Sequence, residues 1–372
     1  MSAAAGVDAG AAPGLLGGRL CICVGAGGVG KTTVAAAIAL LRAAGGERVA
    51  VVTIDPAPRL AQALGFDELS DEPRRVPGAG EVWAMRLDPK RTLDELIASL
   101  APNDLARERA LSNRIYRELS GAVAGSQEFS AVAKLYELDR SGEFDAIVLD
   151  TPPSRNALDF LDAPARLTRF FEGRALRLLL AQGSFASRAA SRAGAPLIGV
   201  LGRLTGAGVL REITAFFAAI AGMVDALAAR AASVEALLRD PATTFVLVSS
   251  PRREAVEEAI AVAAALRRSE LRLGALVVNR VRAGVGAGAD PAVLEAVLGA
   301  RLAGLVTAQC GELEALAAGD RDAVERLREH FAGLEPVVIG DLGDEIEDLD
   351  GLVAIGRYLA SSPNDTSPSA AQ

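Results

Sequence analysis

Lys31 is one of only three lysines among the 39 basic residues of this 372-residue chain, and it stands in GAGGVGKTT, Gly25 to Thr33. The spacing G-x-x-x-x-G-K-[ST] is that of a loop whose backbone wraps a phosphate. Gly25, Gly27, Gly28 and Gly30 permit positive φ and close approach. Together with Ala26 and Val29 between them and Thr33 after them, they can turn successive N–H groups on phosphate oxygens. A chain that uses arginine almost everywhere else keeps a lysine here, where an ammonium would neutralise β and γ phosphates. The Thr32 hydroxyl is a hard oxygen ligand suited to Mg²⁺. A plain Gly-rich turn is the alternative in a chain with 38 glycines. The flanks oppose it: Leu20 to Val24 reads as a strand, and Thr33 to Ala44 as a helix whose N-terminus adds positive potential.

Two aspartates end strand-like runs. Arg48 to Ile54 delivers Asp55, within TIDPAP, to the C-terminal edge where open α/β sheets take their ligands. A carboxylate there can accept a hydrogen bond from water and aim it at a γ-phosphate; the alternative is an N-cap for the run Arg59 to Leu64. Phe144 to Asp150, FDAIVLD, is the Walker B pattern, which brings Asp150 to magnesium, usually through a water. The segment Thr151 to Pro164, attached to that carboxylate, is placed to sense a γ-phosphate as a second switch. Leu273 to Asn279 ends in an amide that suits a purine edge.

These side chains need a mostly parallel central sheet flanked by helices, an α/β P-loop NTPase fold. Further strands are expected at Val82 to Leu87, Thr243 to Ser249 and Pro336 to Ile339. Helices are expected from Thr92 to Leu100 and on to Ser141, and at Arg252 to Ser269, Pro291 to Val306, Glu312 to Phe331 and Gly351 to Ala360. Ala165 to Arg239 is nearly all helical and too long for one crossover, so it reads as an inserted helical layer. Its apolar runs, Leu176 to Leu180, Leu197 to Leu204 and Phe216 to Leu227, suit either a helical core or a groove for an apolar client helix. The expected organisation is a flexible leader over 1–18 and a single domain over 19–360. That domain carries helical insertions at about 92–140 and 160–240, and a disordered polar tail follows over 361–372.

Composition narrows the function. The chain is 51% hydrophobic with a formal net charge of −8, which opposes general nucleic-acid binding. Cys21, Cys23 and Cys310 form neither a disulfide framework nor a C-x-x-C zinc site, which fits a reducing cytoplasm; Cys21 and Cys23 read as small core residues of one strand. The N-terminus lacks the pattern of a signal peptide. No uncharged apolar run reaches the length of a membrane span, so membrane contact is at most transient.

The ordered set GAGGVGKTT, TIDPAP, LDTPPSRNALDFL, FVLVSSPRREAVEEA and ALVVNRV resembles the ArsA-type family of ATPases over roughly Arg19 to Ala360. That family includes the arsenical-pump ATPase and the targeting factors for tail-anchored membrane proteins. The resemblance implies ATP and ADP binding at Gly25 to Thr33, Mg²⁺ at Thr32 and Asp150, water activation at Asp55 with Lys31 on the phosphates, and adenine contact at Asn279.

Three departures stand out. The family's second P-loop lysine, which reaches a phosphate across a dimer, is Ala26 here; its DPAH is DPAP, with Pro58; and its TGH is Ser154-Arg155-Asn156. An arginine, with Arg155 the candidate, or a paralogous subunit is then expected to supply the missing charge. Arsenite capture needs clustered thiolates, and no cysteine lies between Cys23 and Cys310, which disfavours an arsenical pump. The expected function is an ATP-driven dimeric switch, homodimer or heterodimer, that handles an apolar client. The alternatives are a regulatory subunit paired with a paralogue and, with less support, a positioning or partitioning ATPase.

Overall fold

The computed structural model describes residue 15 and residues 17–114, 116–117, 126–152, 221–285, 290–343 and 348–361. Outside the described residues lie the leader apart from 15, 17 and 18, the second switch after Pro152 with Arg155, and most of the inserted apolar layer. Residues 286–289 and the tail from 362 are also outside.

In chain order the elements are β1 (Leu20–Gly25), α1 (Lys31–Ala44), β2 (Val49–Thr53), α2 (Arg59–Ala63), β3 (Arg74–Arg75) and β4 (Val82–Arg86). Next come α3 (Pro89–Leu100), α4 (Asp104–Ser112), α5 (Ser126–Ser141), β5 (Ala146–Asp150), α6 (Val224–Arg239), β6 (Thr243–Ser249) and α7 (Arg253–Arg268). The chain continues through β7 (Leu273–Val281), α8 (Pro291–Leu298), α9 (Ala300–His330), β8 (Val337–Gly340) and α10 (Leu349–Ala360). These elements form two compact units, one made of Met1–Arg86, Glu143–Ala157 and Pro241–Gln372, the other of Leu87–Gly142 and Leu158–Asp240.

The first unit holds the whole sheet, ordered β3-β4-β2-β5-β1-β6-β7-β8. Every neighbouring pair is parallel except β3 with β4. The fold is therefore the mostly parallel, helix-flanked α/β sheet expected of a P-loop NTPase. Its central strands are fully buried, as the unbroken runs LCICVG, VAVVT and AIVLD require of strands covered on both faces. Period-2 alternation sorts their side chains: Cys21, Cys23, Ala146, Val148, Val246 and Val248 share one core cluster with the alanines of α1. Those alanines, Ala35 to Ala37 and Ala39, are fully buried, so α1 lies close against the strands, and α10 packs on it. Leu15 belongs to the same cluster, and Arg42 donates to the Gly18 carbonyl at 2.7 Å.

Register then positions the chemistry. Asp150 stands opposite Cys23 of β1 and opposite Thr53 of β2, so the ends of three neighbouring strands meet at one carboxylate.

The second unit contains α3 to α6 around Leu96, Ile97, Ala110, Tyr116, Ala133, Val224, Leu227 and Ala231. Two of its helix starts are capped as their sequences demand: Asp88 accepts from the N–H groups of Lys90 and Arg91 at α3, and Asn103 from that of Ala106 at α4.

Besides the short edge strand β3, the longest helix differs from expectation. The chain breaks at Gly299, where φ is +76°, and α9 then runs unbroken for 31 residues, through Gly304, Gly311 and Gly319. Glycine inside a helix weakens it only modestly, and burial of Ala317, Val324 and Leu327 against the rest of the unit holds the long helix.

Candidate functional site

The loop between β1 and α1 is a concave backbone with an open helix end. Gly30 is the N-cap of α1; no side chain caps that end and no acidic residue occupies its first turn. The first amides of α1 are therefore left for an anion. Two glycines are required sterically. A Cβ at Gly25 would stand 2.0 Å from the Val248 carbonyl oxygen, and one at Gly30 would stand 2.3 Å from Asn279 Nδ2. Gly27 and Gly28 are exposed at the tip, Val29 is buried beneath it, and Thr32 and Thr33 are half-buried in the first turn of α1.

Lys31 lies inside this cradle, buried, with Nζ donating to the Ala26 carbonyl at 2.8 Å. Burial lowers its pKa, and the negative charge of Asp150 works in the opposite direction. The Ala26 side chain is itself part of the apolar core, so the position that carries a lysine in the resembled family is here a packing position.

Asp150 is fully buried. Its Oδ2 accepts from Thr32 Oγ1 at 2.8 Å and from Thr53 Oγ1 at 2.9 Å, while its buried Oδ1 has no hydrogen-bond partner among the described residues. Burial pushes its carboxyl up to about 6, against the pull of the two hydroxyls and Lys31. A carboxylate oxygen left bare beside a threonine hydroxyl fits a hard cation that completes its shell with water and phosphate oxygens. No group of three or more acidic, His or Cys residues forms an all-protein metal cage among the described residues.

Thr53 carries a second connection: its hydroxyl accepts the Asp55 N–H at 3.2 Å. Asp55 Oδ1 accepts from Ala57 N–H at 3.0 Å, and Oδ2 lies 3.8 Å from Arg59 Nη1. The cap of α2 is Pro58, with no side-chain cap bond, so Asp55 shapes a turn, and among the described residues its Oδ2 is approached by the exposed Arg59. Thr151 Oγ1 donates to the Cys23 carbonyl at 2.7 Å, tying the start of the next segment to β1. Cys23 has its thiol raised by its contact with Cys21 and by burial, which keeps it protonated and inert.

Asn279 is buried under the loop, where Nδ2 donates to the Val29 carbonyl at 3.0 Å and Oδ1 accepts from Arg280 N–H at 2.9 Å. Arg280 adopts φ +63°, a left-handed conformation unusual for a side-chain-bearing residue, and its Nη1 lies 3.4 Å from the Gly28 carbonyl. A cavity of about 600 Å³ adjoins the loop, lined by Gly28, Ser250 to Arg252, Arg280, Arg282, Ala315, Leu316, Gly319, Asp320, Asp341 and Gly343. Arg282 is paired there with Asp320 at 3.1 Å. Thus the structure brings Gly25 to Thr33, Lys31, Thr32, Asp150 and Asn279 together around one loop, with Asp55 joined to Asp150 through Thr53. Thr53, Thr151 and Arg280 were not singled out from sequence.

Residues 19–285 match the sequence profile of the family described as anion-transporting ATPase. The chain belongs to this family. Curated relatives are fungal proteins named ATPase GET3. The protein of Rhodotorula glutinis is 31% identical over 145 residues, 39% of this chain and 40% of that one. The protein of Schizosaccharomyces pombe is 30% identical over 145 residues, 39% and 43% of the two chains. The protein of Malassezia globosa is 33% identical over 147 residues, 40% and 43%. The chain thus spans about two fifths of the length of these relatives. Family membership carries nucleotide binding with it.

Proposed function

We propose that the chain is a Mg²⁺-dependent ATPase that works as a dimeric switch on an apolar protein client. The observation that supports this most directly is the junction of Thr32, Asp150 and Thr53 beside the buried Lys31. ATP or ADP would lay its phosphates in Gly25 to Thr33, with the nucleoside in the adjoining cavity near Asn279. Mg²⁺, held by Thr32 and by Asp150 through water, would supply charge screening of the β and γ oxygens. Lys31 places an ammonium on the same oxygens. Asp55 would accept a hydrogen bond from a water and aim it at the γ-phosphorus; the P–O bond to the β-phosphate breaks, leaving ADP and phosphate.

Dimer formation, an apolar client and a cytoplasmic setting rest on the resemblance to targeting factors and on the GET3 relatives. Compatible with them, no helix among the described residues is long and apolar enough to cross a membrane, and the cysteines are free. The packed Ala26 favours a second reading for the oligomer, in which a paralogous subunit supplies a missing cation.

The test is Asp55→Asn. The variant should keep Mg²⁺-ADP affinity within about 3-fold and lose turnover by on the order of 100-fold or more. Unchanged turnover would remove Asp55 from the reaction. Recovered from its native cytosol with ATP, the same variant should bring down membrane proteins with terminal apolar helices; recovery of soluble enzymes alone would sink the client reading.

A further inference from the structure

Arg280 breaks the pattern of its own strand twice. Val278 of β7 stands opposite Val338 of β8 and Val281 opposite Gly340, so β7 takes three steps where β8 takes two. The extra residue lies at Asn279 and Arg280, a β-bulge in a parallel pair. There Arg280 adopts φ +63°, a left-handed backbone that glycine takes freely and a side-chain-bearing residue takes only at a cost.

The bulge decides where the side chain goes. Ala275 and Val277 lie in the core cluster shared with the alanines of α1, and Asn279, two residues on, continues that face. Regular alternation would send Arg280 to the opposite face. Instead, neighbouring side chains reach neighbouring carbonyls of one loop: Asn279 Nδ2 donates to Val29 at 3.0 Å, and Arg280 Nη1 to Gly28 at 3.4 Å. Asn279 Oδ1 also accepts the Arg280 N–H at 2.9 Å, which fixes the turn. Charge then says what the arrangement serves. Lys31, the loop's own cation, is buried, feels the charge of Asp150 and spends Nζ on the Ala26 carbonyl. Arg282, on the wall of the adjoining cavity, is neutralised by Asp320, which accepts from its N–H at 2.9 Å and its Nη1 at 3.1 Å. Arg280 lines the same cavity, is exposed, and among the described residues its guanidinium makes one hydrogen bond, to the uncharged Gly28 carbonyl. Most of its donors, set in a planar fork that matches phosphate oxygens, are unspent.

We infer that Arg280 is a second cation of the nucleotide site, supplied by the chain to its own phosphate loop. It braces the loop tip through Gly28 when the loop is empty and pairs with a phosphate oxygen when a nucleotide fills it. A backbone held in a costly conformation so as to aim one charged side chain at a ligand loop is what this role requires. The inference deepens the proposed function and rests on its nucleotide reading.

Calorimetric titration of the full chain with Mg²⁺-ADP and, as a probe without a base, Mg²⁺-pyrophosphate tests this. Arg280→Gly removes the guanidinium and suits the left-handed backbone; Arg280→Gln keeps a donor there without the charge. Both should bind both probes about 10-fold more weakly or worse. Both should also melt within about 3 °C of the wild type without ligand, so that the loss is of binding and not of fold. Arg280→Lys keeps the charge and should bind both probes more tightly than Arg280→Gln. Wild-type affinity for both probes in the glycine and glutamine variants would overturn the assignment and leave the arginine a brace of the loop. A loss confined to ADP, with pyrophosphate unchanged, would overturn the phosphate contact and move the guanidinium to the nucleoside. A lysine variant no tighter than the glutamine one would overturn the role of charge. A wild type that binds neither probe would overturn the nucleotide reading itself and this assignment with it, whereas failure in the variants alone leaves that reading standing.

Discussion

Lys31 and Asp150 bring opposite charges into one buried neighbourhood, and burial works against both. The carboxyl of Asp150, near 6 in the folded chain against an ordinary 3.8, gives a signed prediction. Between those two values the folded chain binds more protons than the unfolded one, so stability falls as pH rises through that window and is level above it. The loss is on the order of 3 kcal/mol. Asp150→Asn keeps an acceptor for Thr32 and Thr53 and removes the buried charge. The nucleotide-free variant should therefore unfold at a higher temperature than wild type at pH 7.5. The gap should close below about pH 4, while Mg²⁺-nucleotide affinity drops. Thermal melts across pH without metal or nucleotide check this; a variant less stable than wild type at pH 7.5 would contradict it. Asp150 was legible in sequence because four aliphatics before it form a buried strand. Thr53 was not, because a threonine at the end of VAVVT reads as ordinary strand composition, and only the register of β2 with β5 shows that its hydroxyl meets Asp150.

Elements became legible where their periodicity was complete. The strands carrying the loop, Asp55 and Asp150 follow from unbroken apolar runs, and α1 from its position after the glycines. β3 did not: two exposed arginines pair antiparallel at the sheet edge, and nothing local in RR marks a strand. Nor did the length of α9, which tertiary burial decides. The tie between β7 and the loop was equally hidden, since Asn279 and Gly30 are 249 positions apart in sequence. It supplies an element-scale prediction. Gly30→Ala forces a side chain to adopt φ +92°, at about 1–2 kcal/mol. It also drives Cβ into Asn279 Nδ2, breaking the bond to Val29 at about 1–3 kcal/mol more. Chemical denaturation should show a loss on the order of 2–5 kcal/mol. Adding Asn279→Ala to Gly30→Ala should cost less than the two single losses summed, because both disturb one contact. Strict additivity would mean that Asn279 does not hold the loop.

At the scale of the whole molecule, Gly28 of the phosphate loop and Leu316 of α9 line one cavity, and Leu316 is half exposed. Sequence composition could not reveal this, because residues 28 and 316 meet only through the sheet order that places β7 beside β6 and β6 beside β1. If the proposed dimeric switch docks its second chain beside this cavity, the two binding events would be coupled, and any such coupling is reciprocal. If pairing of two chains tightens ADP binding by some factor, ADP must tighten pairing by the same factor, typically about 5–150-fold for coupled sites. Fluorescent ADP titrated into the chain well below and well above its dimerisation constant gives one side of that box. Sedimentation with and without saturating Mg²⁺-ADP gives the other. Leu316→Ala should pull both factors towards one while leaving the phosphate cradle intact, since Leu316 touches the cavity wall and not Lys31, Thr32 or Asp150. A wild-type factor indistinguishable from one would make the dimer a static scaffold and remove the switch from the proposed function.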